Sequence, residues 1–260
     1  MFKIISNKKL QQIIEANVNE RLAVQEKKKQ DDILEKQVSL AMLQAQINPH
    51  FLYNTLDCIR GQALSRNVPE IAEITQALSG YFRYSVSLHE NIVSLKDELN
   101  NVRNYVLIQK YRFKDRFSLK IDVDKDDPFL YTLALPKLTL QPIVENAVLH
   151  AFSQTMKSDA MITISVQSTP SRAYIHVADN GAGIRREVYQ RLVDLLVEQQ
   201  TQSENTDHGI ALLNVHRRIS LLFGKEYGLS ISSAENIGTD VEIHIPRISR
   251  EEFQAKYHEE

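Results

Sequence analysis

The sequence predicts an all-α helical bundle followed by an α+β domain in a chain of 260 residues. The prediction depends on a change in pattern near residue 115. Before it, glycine and proline are scarce and apolar residues recur at helical spacing, whereas after it short β-branched segments alternate with turns. Chains of this length commonly fold as about two domains. We expect a helix over 1–33, bundle helices over 34–115, an α+β domain over 116–248 and a charged tail over 249–260.

The composition is that of an ordinary globular protein, and it excludes several classes. Hydrophobic residues make up 43% and charged residues 25% of the chain, which argues against wholesale disorder. The formal net charge of −2 gives no electrostatic footprint for nucleic acid. The single cysteine, Cys58, cannot form an intrachain disulfide, as is typical of a reducing compartment. No apolar run is long enough to span a bilayer.

Residues 8–66 are predicted to be almost continuous helix. Two apolar stripes run side by side along its second half, at spacings of three and four. Two stripes on one helix need more than one partner helix, as in a four-helix bundle, so we expect a homodimer. The first stripe comprises Leu34, Val38, Ala41, Ala45, Asn48, Leu52, Thr55 and Ile59, and the second comprises Leu40, Leu43, Ile47, Phe51, Asn54 and Cys58.

Two further helices are predicted before residue 115. One begins after the loop at 67–70, with Pro69 in its first turn, where proline is well tolerated. The next follows a break near 89–91 and begins at Ser94 and Asp97, whose spacing resembles a capping box, and it ends near Lys114. Antiparallel helices from each of two chains would complete the bundle.

Strands and helices are mixed after Phe117. Short turns at 169–171 and 236–238 join pairs of strands, which predicts an α+β sandwich with helices on one face of a sheet. Residues 198–207 are polar and aperiodic, which predicts a loop, and the charged tail after Pro246 is expected to fray. Strands are predicted at 117–123, 161–166, 172–177, 229–233 and 239–245, and helices at 138–152, 187–197 and 211–223.

Three polar motifs stand out in this second domain, at 145–150, 179–184 and 208–211. A carboxylate at a strand end, such as Asp179, can accept a hydrogen bond from an exocyclic amine, and glycines allow a close backbone approach. Glycine at a helix start leaves N–H groups for phosphate, and the oxygen of Asn146 suits Mg²⁺. Taken singly, each motif has an ordinary structural interpretation, such as a plain turn. Only their combination and order indicate a site.

The segment 43–54, LQAQINPHFLYN, resembles the phosphoacceptor segment of LytS/YesM-type sensor histidine kinases. The three polar motifs are similar to the N box and glycine boxes of the GHKL (Bergerat-type) ATP-binding fold, and the resemblance extends over about residues 34–246. It implies an autophosphorylating protein-histidine kinase of a two-component system. Such an enzyme uses ATP and Mg²⁺, forms a homodimer and passes its phosphoryl group to an aspartate of a response regulator.

The resemblance implies that His50 is the phosphorylated histidine. Asn54 follows it by one helical turn and can orient the imidazole. Commoner histidine kinases have an acid directly after the histidine, whereas this chain has Phe51, so the sequence identifies no general base. A neutral imidazole can attack through its own lone pair. Pro49 predicts a bend in the helix just before His50.

In the nucleotide site, the resemblance makes Asn146 the Mg²⁺ ligand and Asp179 the reader of adenine. The segment 199–207 would be a mobile lid over ATP. Thr239 would hold adenine through water, although an ordinary strand residue is an equally good interpretation. The other implied binding residues are Gly181, Gly183, Gly209 and Asn214.

Two positions depart from the family pattern. Ala211 stands where a second glycine is usual, and its methyl group would crowd phosphate if the residue needed a positive φ, but not if it lies within the helix. Pro142 stands where hydrolytic members have a glutamate, which favours phosphotransfer over ATP hydrolysis. The alternatives are a nucleotide-binding scaffold without phosphotransfer and an ATPase clamp.

Family members usually carry a sensor and membrane spans upstream of these domains. The resemblance therefore implies that this chain is the cytoplasmic portion of a membrane receptor. Residues 1–33 would then form a juxtamembrane helix that relays the signal. No nucleic-acid binding and no membrane span within the chain are expected.

Overall fold

The computed structural model describes residues 49–87, 91–113, 116–151, 159–198 and 210–257. The chain divides after Asn54 into two compact units. The described part of the first unit, residues 49–54, opens a helix, α1 (Pro49–Ser65). The apolar stripes upstream of Pro49 and the bend predicted before His50 lie outside the described residues.

The predicted helices and strands that fall on the described residues occur in the expected order. The further helices are α2 (Pro69–Val86), α3 (Leu95–Phe113), α4 (Gln141–Asn146), α5 (Arg186–Glu198), α6 (Ile210–Phe223) and α7 (Arg250–Tyr257), with a 3₁₀ turn at Pro128–Thr132 and a π-helical turn at Ala147–Ala151. The strands are β1 (Ile92–Ser94), β2 (Ser118–Val123), β3 (Ala134–Pro136), β4 (Met161–Ser168), β5 (Arg172–Asp179), β6 (Gly228–Ala234) and β7 (Gly238–Pro246). Within the described residues, no helix has both the length and the apolar character needed to cross a bilayer.

Helices α2 and α3 form a hairpin whose ends agree with the sequence prediction. Pro69 opens α2. The capping box at the start of α3 is confirmed, because the Asp97 N–H donates to Ser94 Oγ at 3.2 Å and the Ser94 N–H donates to Asp97 Oδ2 at 3.1 Å. At Gly80 an added Cβ would lie 2.7 Å from Asn104 Nδ2, so glycine allows the two helices to touch.

The main sheet has five strands in the order β2-β4-β5-β7-β6. Its four-stranded part is antiparallel, and β2 joins β4 in parallel. Buried residues alternate with half-exposed ones along β4 and β5, so one face of the sheet packs in the core, as predicted. A second, two-stranded sheet, in which β1 pairs with β3, was not predicted because each of its strands has only three residues.

Helix α3 contributes to the same hydrophobic core as the sheet. Leu95, Leu99 and Val102 are fully buried there together with Ile162 and Ile175. The change of periodicity near residue 115 therefore does not separate two cores. The spacing of apolar residues on α3 predicts a helix with one buried face, but it does not specify whether another helix or a sheet covers that face.

The helix predicted from residue 138 begins instead at Gln141. Leu138 has a φ of +60°, a left-handed conformation that interrupts the helix. The N–H groups of Leu138, Thr139 and Leu140 all donate to the carboxylate of Glu98 on α3. A partner from a distant part of the chain thus sets this boundary, and no local sequence pattern records it.

The charged tail, expected to fray, forms helix α7. Phe253 is buried and packs edge-on against Phe223, with ring centroids 5.5 Å apart. The Ser249 N–H donates to Glu252 Oε2 at 2.8 Å and the Glu252 N–H donates to Ser249 Oγ at 3.1 Å, which is a second capping box. The prediction followed the high charge of the segment and missed this cap and its single apolar anchor.

Gly238 provides a test of how closely β5 and β7 approach. Its φ is +145°, and an added Cβ would lie 2.0 Å from the carbonyl oxygen of Asp179. We expect Gly238→Ala to lower the free energy of unfolding by about 2 kcal/mol or more, since backbone atoms must move. Urea denaturation measures this change.

The matched control is Gly61→Ala on α1, where an added Cβ meets nothing within 4 Å. Alanine is the better helix former, so this variant should be as stable as the wild type or more stable by roughly 0.5–1 kcal/mol. Equal stability losses in both variants would contradict the steric argument.

Candidate functional site

Two of the predicted site residues lie side by side at one end of the sheet. Asp179 ends β5 and Thr239 is its direct partner on β7. The preceding residue, Gly238, has its backbone against the carbonyl of Asp179, with no room for a side chain. The sheet register therefore places the Asp179 carboxylate and the Thr239 hydroxyl at neighbouring positions.

The loop after β5 is fixed by its own polar groups. Asn180 accepts the Met161 N–H at 2.8 Å and donates to the Asp159 carbonyl at 2.9 Å. Asp179 Oδ1 accepts the Gly181 N–H at 2.9 Å. The Asn180 side chain thus binds backbone groups at the start of β4. The Asp179 carboxylate stabilises the turn at the buried Gly181. The turn interpretation and the site interpretation of this motif are compatible.

Gly183 has a structural reason to be glycine that the sequence did not reveal. Its φ is +67°, and an added Cβ would lie 2.0 Å from the carbonyl oxygen of Ala234 at the end of β6. The Asn236 N–H donates to the Ala182 carbonyl at 2.6 Å. The loop after β5 therefore packs directly on the β6–β7 turn, and Gly183 permits that contact.

The hydroxyl of Ser233 connects the loop after β5 to the β6–β7 turn, and sequence reasoning missed this residue. Its hydroxyl lies 2.9 Å from the Thr239 hydroxyl, accepts the Ile184 N–H at 2.9 Å and donates to the Gly238 carbonyl at 2.9 Å. Ser233 pairs directly with Thr239 across β6 and β7. A known register would have identified it, but the sequence alone does not give the register.

Asn146 ends α4 and is half-buried. Its neighbours Ile143, Val144 and Ala147 lie in the hydrophobic core. The apolar side of this short helix therefore anchors it, and Asn146 lies toward the more exposed side. Among the described residues, no three His, Cys, Asp or Glu side chains are grouped so that they alone could hold a metal ion. A single amide ligand instead fits Mg²⁺ that takes most of its oxygens from phosphate and water.

The residue beside it, Glu145, is engaged in a network that reaches the α2–α3 hairpin. Gln141 Nε2 donates to Glu145 Oε1 and to Tyr81 Oη, both at 2.7 Å. Asn101 Nδ2 donates to Gln141 Oε1 at 2.6 Å. Burial and the nearby Glu145 raise the pKa of Tyr81, so its hydroxyl stays protonated. Sequence reasoning singled out the polar motif that begins at Glu145, but it passed over the other members of the network, Tyr81, Asn101 and Gln141.

Helix α6 resolves the question raised by Ala211. The residue is the second of the helix and is exposed, so its methyl group lies on a regular α-helical turn. Asn214 is also exposed and follows within the next turn. Gly209 and the proposed lid at 199–207 lie outside the described residues.

His50 lies on α1 and is exposed. Its Nδ1 atom is 3.2 Å from Nδ2 of Asn54, one turn further along the same helix. The neighbouring Phe51 side chain is 70% exposed, and the position holds no carboxylate that could take a proton from the ring. The geometry expected between His50 and Asn54 is present.

Comparison with known families gives two matches along the chain. A family model described as "Histidine kinase" matches residues 38–117. A second, described as "Histidine kinase-, DNA gyrase B-, and HSP90-like ATPase", matches residues 136–249. Together the matched segments contain the predicted site residues on α1, α4, α6, β5 and β7.

Curated relatives agree with these models. The sensor histidine kinase YesM of Bacillus subtilis is 35% identical over 239 residues, which cover 92% of this chain and 37% of that protein. The sensor protein LytS of the same organism is 35% identical over 81% of this chain and 34% of its own length. The chain thus spans about a third of each. The protein YwpD of Bacillus subtilis is 34% identical over 80% of this chain and 70% of its own length. The chain belongs to the sensor histidine kinase family.

Proposed function

We propose that this chain is an ATP-dependent protein-histidine kinase, which phosphorylates His50 and then donates the phosphoryl group to an aspartate of a response regulator. The observation that carries the proposal is the exposed imidazole of His50, whose Nδ1 is in hydrogen-bonding distance of Asn54. An acceptor histidine must be reachable by a nucleotide held elsewhere, and it must present a nitrogen lone pair. The exposure and the fixed Nδ1 serve these two needs.

The tautomer of His50 decides which ring nitrogen is the nucleophile. With Asn54 Nδ2 facing Nδ1, the amide donates and the ring proton is on Nε2. Turning the amide by 180° places Oδ1 there, so that Nδ1–H donates and Nε2 carries the lone pair. In that arrangement Nε2 attacks the γ-phosphorus, the bond to the bridging oxygen breaks, and ADP leaves. The proton on Nδ1 remains hydrogen-bonded to the amide oxygen during the attack and is released to water as the neutral phosphohistidine forms, so no neighbouring acid is required.

The end of the sheet is the proposed binding site for the adenine of ATP. Asp179 would accept a hydrogen bond from the exocyclic amine, and Thr239 would bind a water shared with the base. The support is their direct pairing on β5 and β7 and the hydrogen bond that holds the Gly181 turn. Gly209 and Asn214 stay predictions as phosphate-side ligands.

Asn146 is the proposed protein ligand of Mg²⁺, alongside phosphate oxygens. When bound, Mg²⁺ would neutralise charge on the phosphates during transfer. Phosphotransfer is favoured over hydrolysis by the residues around Asn146. Pro142 has no group that can activate water, and the Glu145 carboxylate accepts hydrogen bonds from Gln141 and Tyr81.

The homodimer and its four-helix bundle are part of the proposal. Phe51, Ile59, Leu64 and Ile71 are each at least 40% exposed on α1 and at the start of α2. An apolar surface of this kind is typical of helices that pack on a partner. The cytoplasmic location and the relay role of residues 1–33 stay predictions.

The direct test incubates the protein with Mg²⁺ and γ-labelled ATP. We expect label that is labile in acid and stable in alkali, and that is lost in His50→Gln. His244→Gln, on the open face of the sheet, is the matched control and should keep its label. Nucleotide binding without label would favour a scaffold, and steady ATP turnover without label would favour an ATPase. Label that persists in His50→Gln would identify a different acceptor.

Two substitutions at Asn54 test the tautomer argument. Asn54→Asp keeps an oxygen that accepts from Nδ1–H, so we expect its initial labelling rate to stay close to the wild-type rate. Asn54→Leu keeps the size and removes the hydrogen bond, and the rate should fall about three- to tenfold. Equal rates for the wild type and Asn54→Leu would show that the hydrogen bond does not orient His50.

Asp179→Asn tests the adenine site. The amide presents one acceptor and one donor, so it cannot accept from both the Gly181 N–H and adenine through separate oxygens. We expect the affinity for ATP, measured by calorimetry, to fall about tenfold. Asp122→Asn, at an exposed position of β2, is the control and should bind like the wild type. Unchanged affinity in Asp179→Asn would place adenine elsewhere.

A further inference from the structure

Glu98 is the one acidic residue that is fully buried among the described residues. Its Oε1 atom accepts the Leu138 N–H at 2.6 Å and also the hydroxyl of Tyr84. Its Oε2 atom accepts the Thr139 N–H at 2.9 Å and the Leu140 N–H at 2.7 Å. The four donors to this carboxylate come from two other segments, the helix α2 and residues 138–140. A buried carboxylate needs such partners.

The three backbone donors stand immediately before α4. Leu140 occupies the N-cap position of this helix, and its side chain provides no cap. Glu98 accepts from the N–H groups of the N-cap residue and of the two residues before it, so it fixes the backbone that leads into the helix. Its negative charge also lies at the positive end of the helix dipole. Burial raises the pKa of Glu98, whereas the hydrogen bonds from Tyr84 and the three amides oppose that rise.

The same segment is held from its other side by Arg218 on α6. Arg218 Nη1 donates to the Lys137 carbonyl at 2.8 Å and Nη2 donates to the Leu138 carbonyl at 2.7 Å. Leu138 between them has a φ of +60°, which a leucine adopts only when its surroundings enforce it. One acid and one base thus fix residues 137–140 through backbone groups alone.

Tyr84 connects this arrangement to α2. Burial beside Glu98 raises the pKa of Tyr84, so the hydroxyl remains a donor. The end of α2 also contacts the segment, because Lys137 Nζ donates to the Ser87 carbonyl at 2.5 Å and lies over the Tyr84 ring. Tyr84 and Lys137 therefore join the end of α2 to Glu98 and to the segment before α4 by direct contacts.

We propose that Glu98 is a positioning residue of the nucleotide site, which fixes the start of α4 through the N–H groups of residues 138–140 and thereby the place of Asn146. Asn146 ends the same short helix, so a shift of its first turn moves the amide as well. This inference rests on the proposed function, because it assigns Asn146 to the nucleotide. Glu98 does not touch the nucleotide in this arrangement, and it acts through the backbone alone.

Glu98→Gln tests the inference with little change in size. One acceptor oxygen becomes an amino group, so either Leu138 or the pair Thr139 and Leu140 faces a donor instead of an acceptor. We expect the Kd for ATP, measured by calorimetry on the whole chain, to rise at least about tenfold. Hydrogen exchange should speed up at the amides of residues 138–140.

Asp97→Asn is the matched control on the same helix. Asp97 caps α3 through Ser94 and makes no hydrogen bond to residues 138–140 among those described. Loss of this cap should lower the melting temperature by about 2–4 °C and leave the Kd for ATP at the wild-type value. An equal rise in Kd for Asp97→Asn would reduce the effect of Glu98→Gln to general destabilisation and overturn the inference. A folded Glu98→Gln protein that binds ATP like the wild type would also overturn it.

Glu98→Asp decides the matter if Glu98→Gln does not fold. It keeps the charge but shortens the side chain by one carbon, which withdraws the carboxylate from the three backbone N–H groups, so we expect a rise in Kd of about threefold. A wild-type Kd in this variant would then overturn the inference.

The labelling assay separates the two proposals: a wild-type chain that binds ATP and takes no label contradicts the kinase function alone. Unchanged ATP affinity in the variants contradicts the role of Glu98 alone.

Discussion

The helix that carries Asn146 must begin inside the protein, and this constraint organises the structure around it. The N–H groups of residues 138–140 lead into α4 in the protein interior, where buried backbone donors need acceptors other than water. Glu98 supplies the acceptors, which requires α3 to lie against α4. Helix α3 can lie there because Leu95, Leu99 and Val102 are buried in the core that the sheet also fills. The polar contact selects one position for α4 among those that apolar packing alone would allow.

The loop after β5, where the adenine site is proposed, follows the same rule with different chemistry. There the close approach is between backbones, and glycine at 183 and 238 leaves room for the carbonyls of Ala234 and Asp179. Ser233 then joins the loop after β5 to the β6–β7 turn through one hydroxyl. A charged side chain thus fixes the backbone before α4, and small residues fix the loop after β5. The two regions have little sequence in common, although in both a side chain or its absence determines the position of the backbone.

Local patterns were enough to predict most helices and strands and one capping box. The spacing of Ser94 and Asp97 predicts the start of α3, and the turn at 236–238 predicts the hairpin of β6 and β7. What the sequence did not reveal depends on partners far along the chain. Glu98 sets the start of α4, and Arg218 holds the carbonyl group of Leu138. The role of Ser233 depends on the register between β6 and β7. The family resemblance supplied His50 with its partner Asn54, and also Asn146 and Asp179. Glu98 and Ser233, which fix backbone near the last two, belong to no motif.

Ala211 has a consequence for the energy of ligand binding that goes beyond its fit. Glycine at this position would gain more conformational freedom whenever the first turn of α6 opens, and closing that turn again would cost roughly 0.5–1 kcal/mol more than it does for alanine. Ala211 is exposed, so the main effect of its methyl group is on the open state. A turn that is already ordered leaves less entropy to be lost when an anion binds at its N–H groups. If the start of α6 binds phosphate as proposed, alanine in place of glycine at this position is then a form of preorganisation.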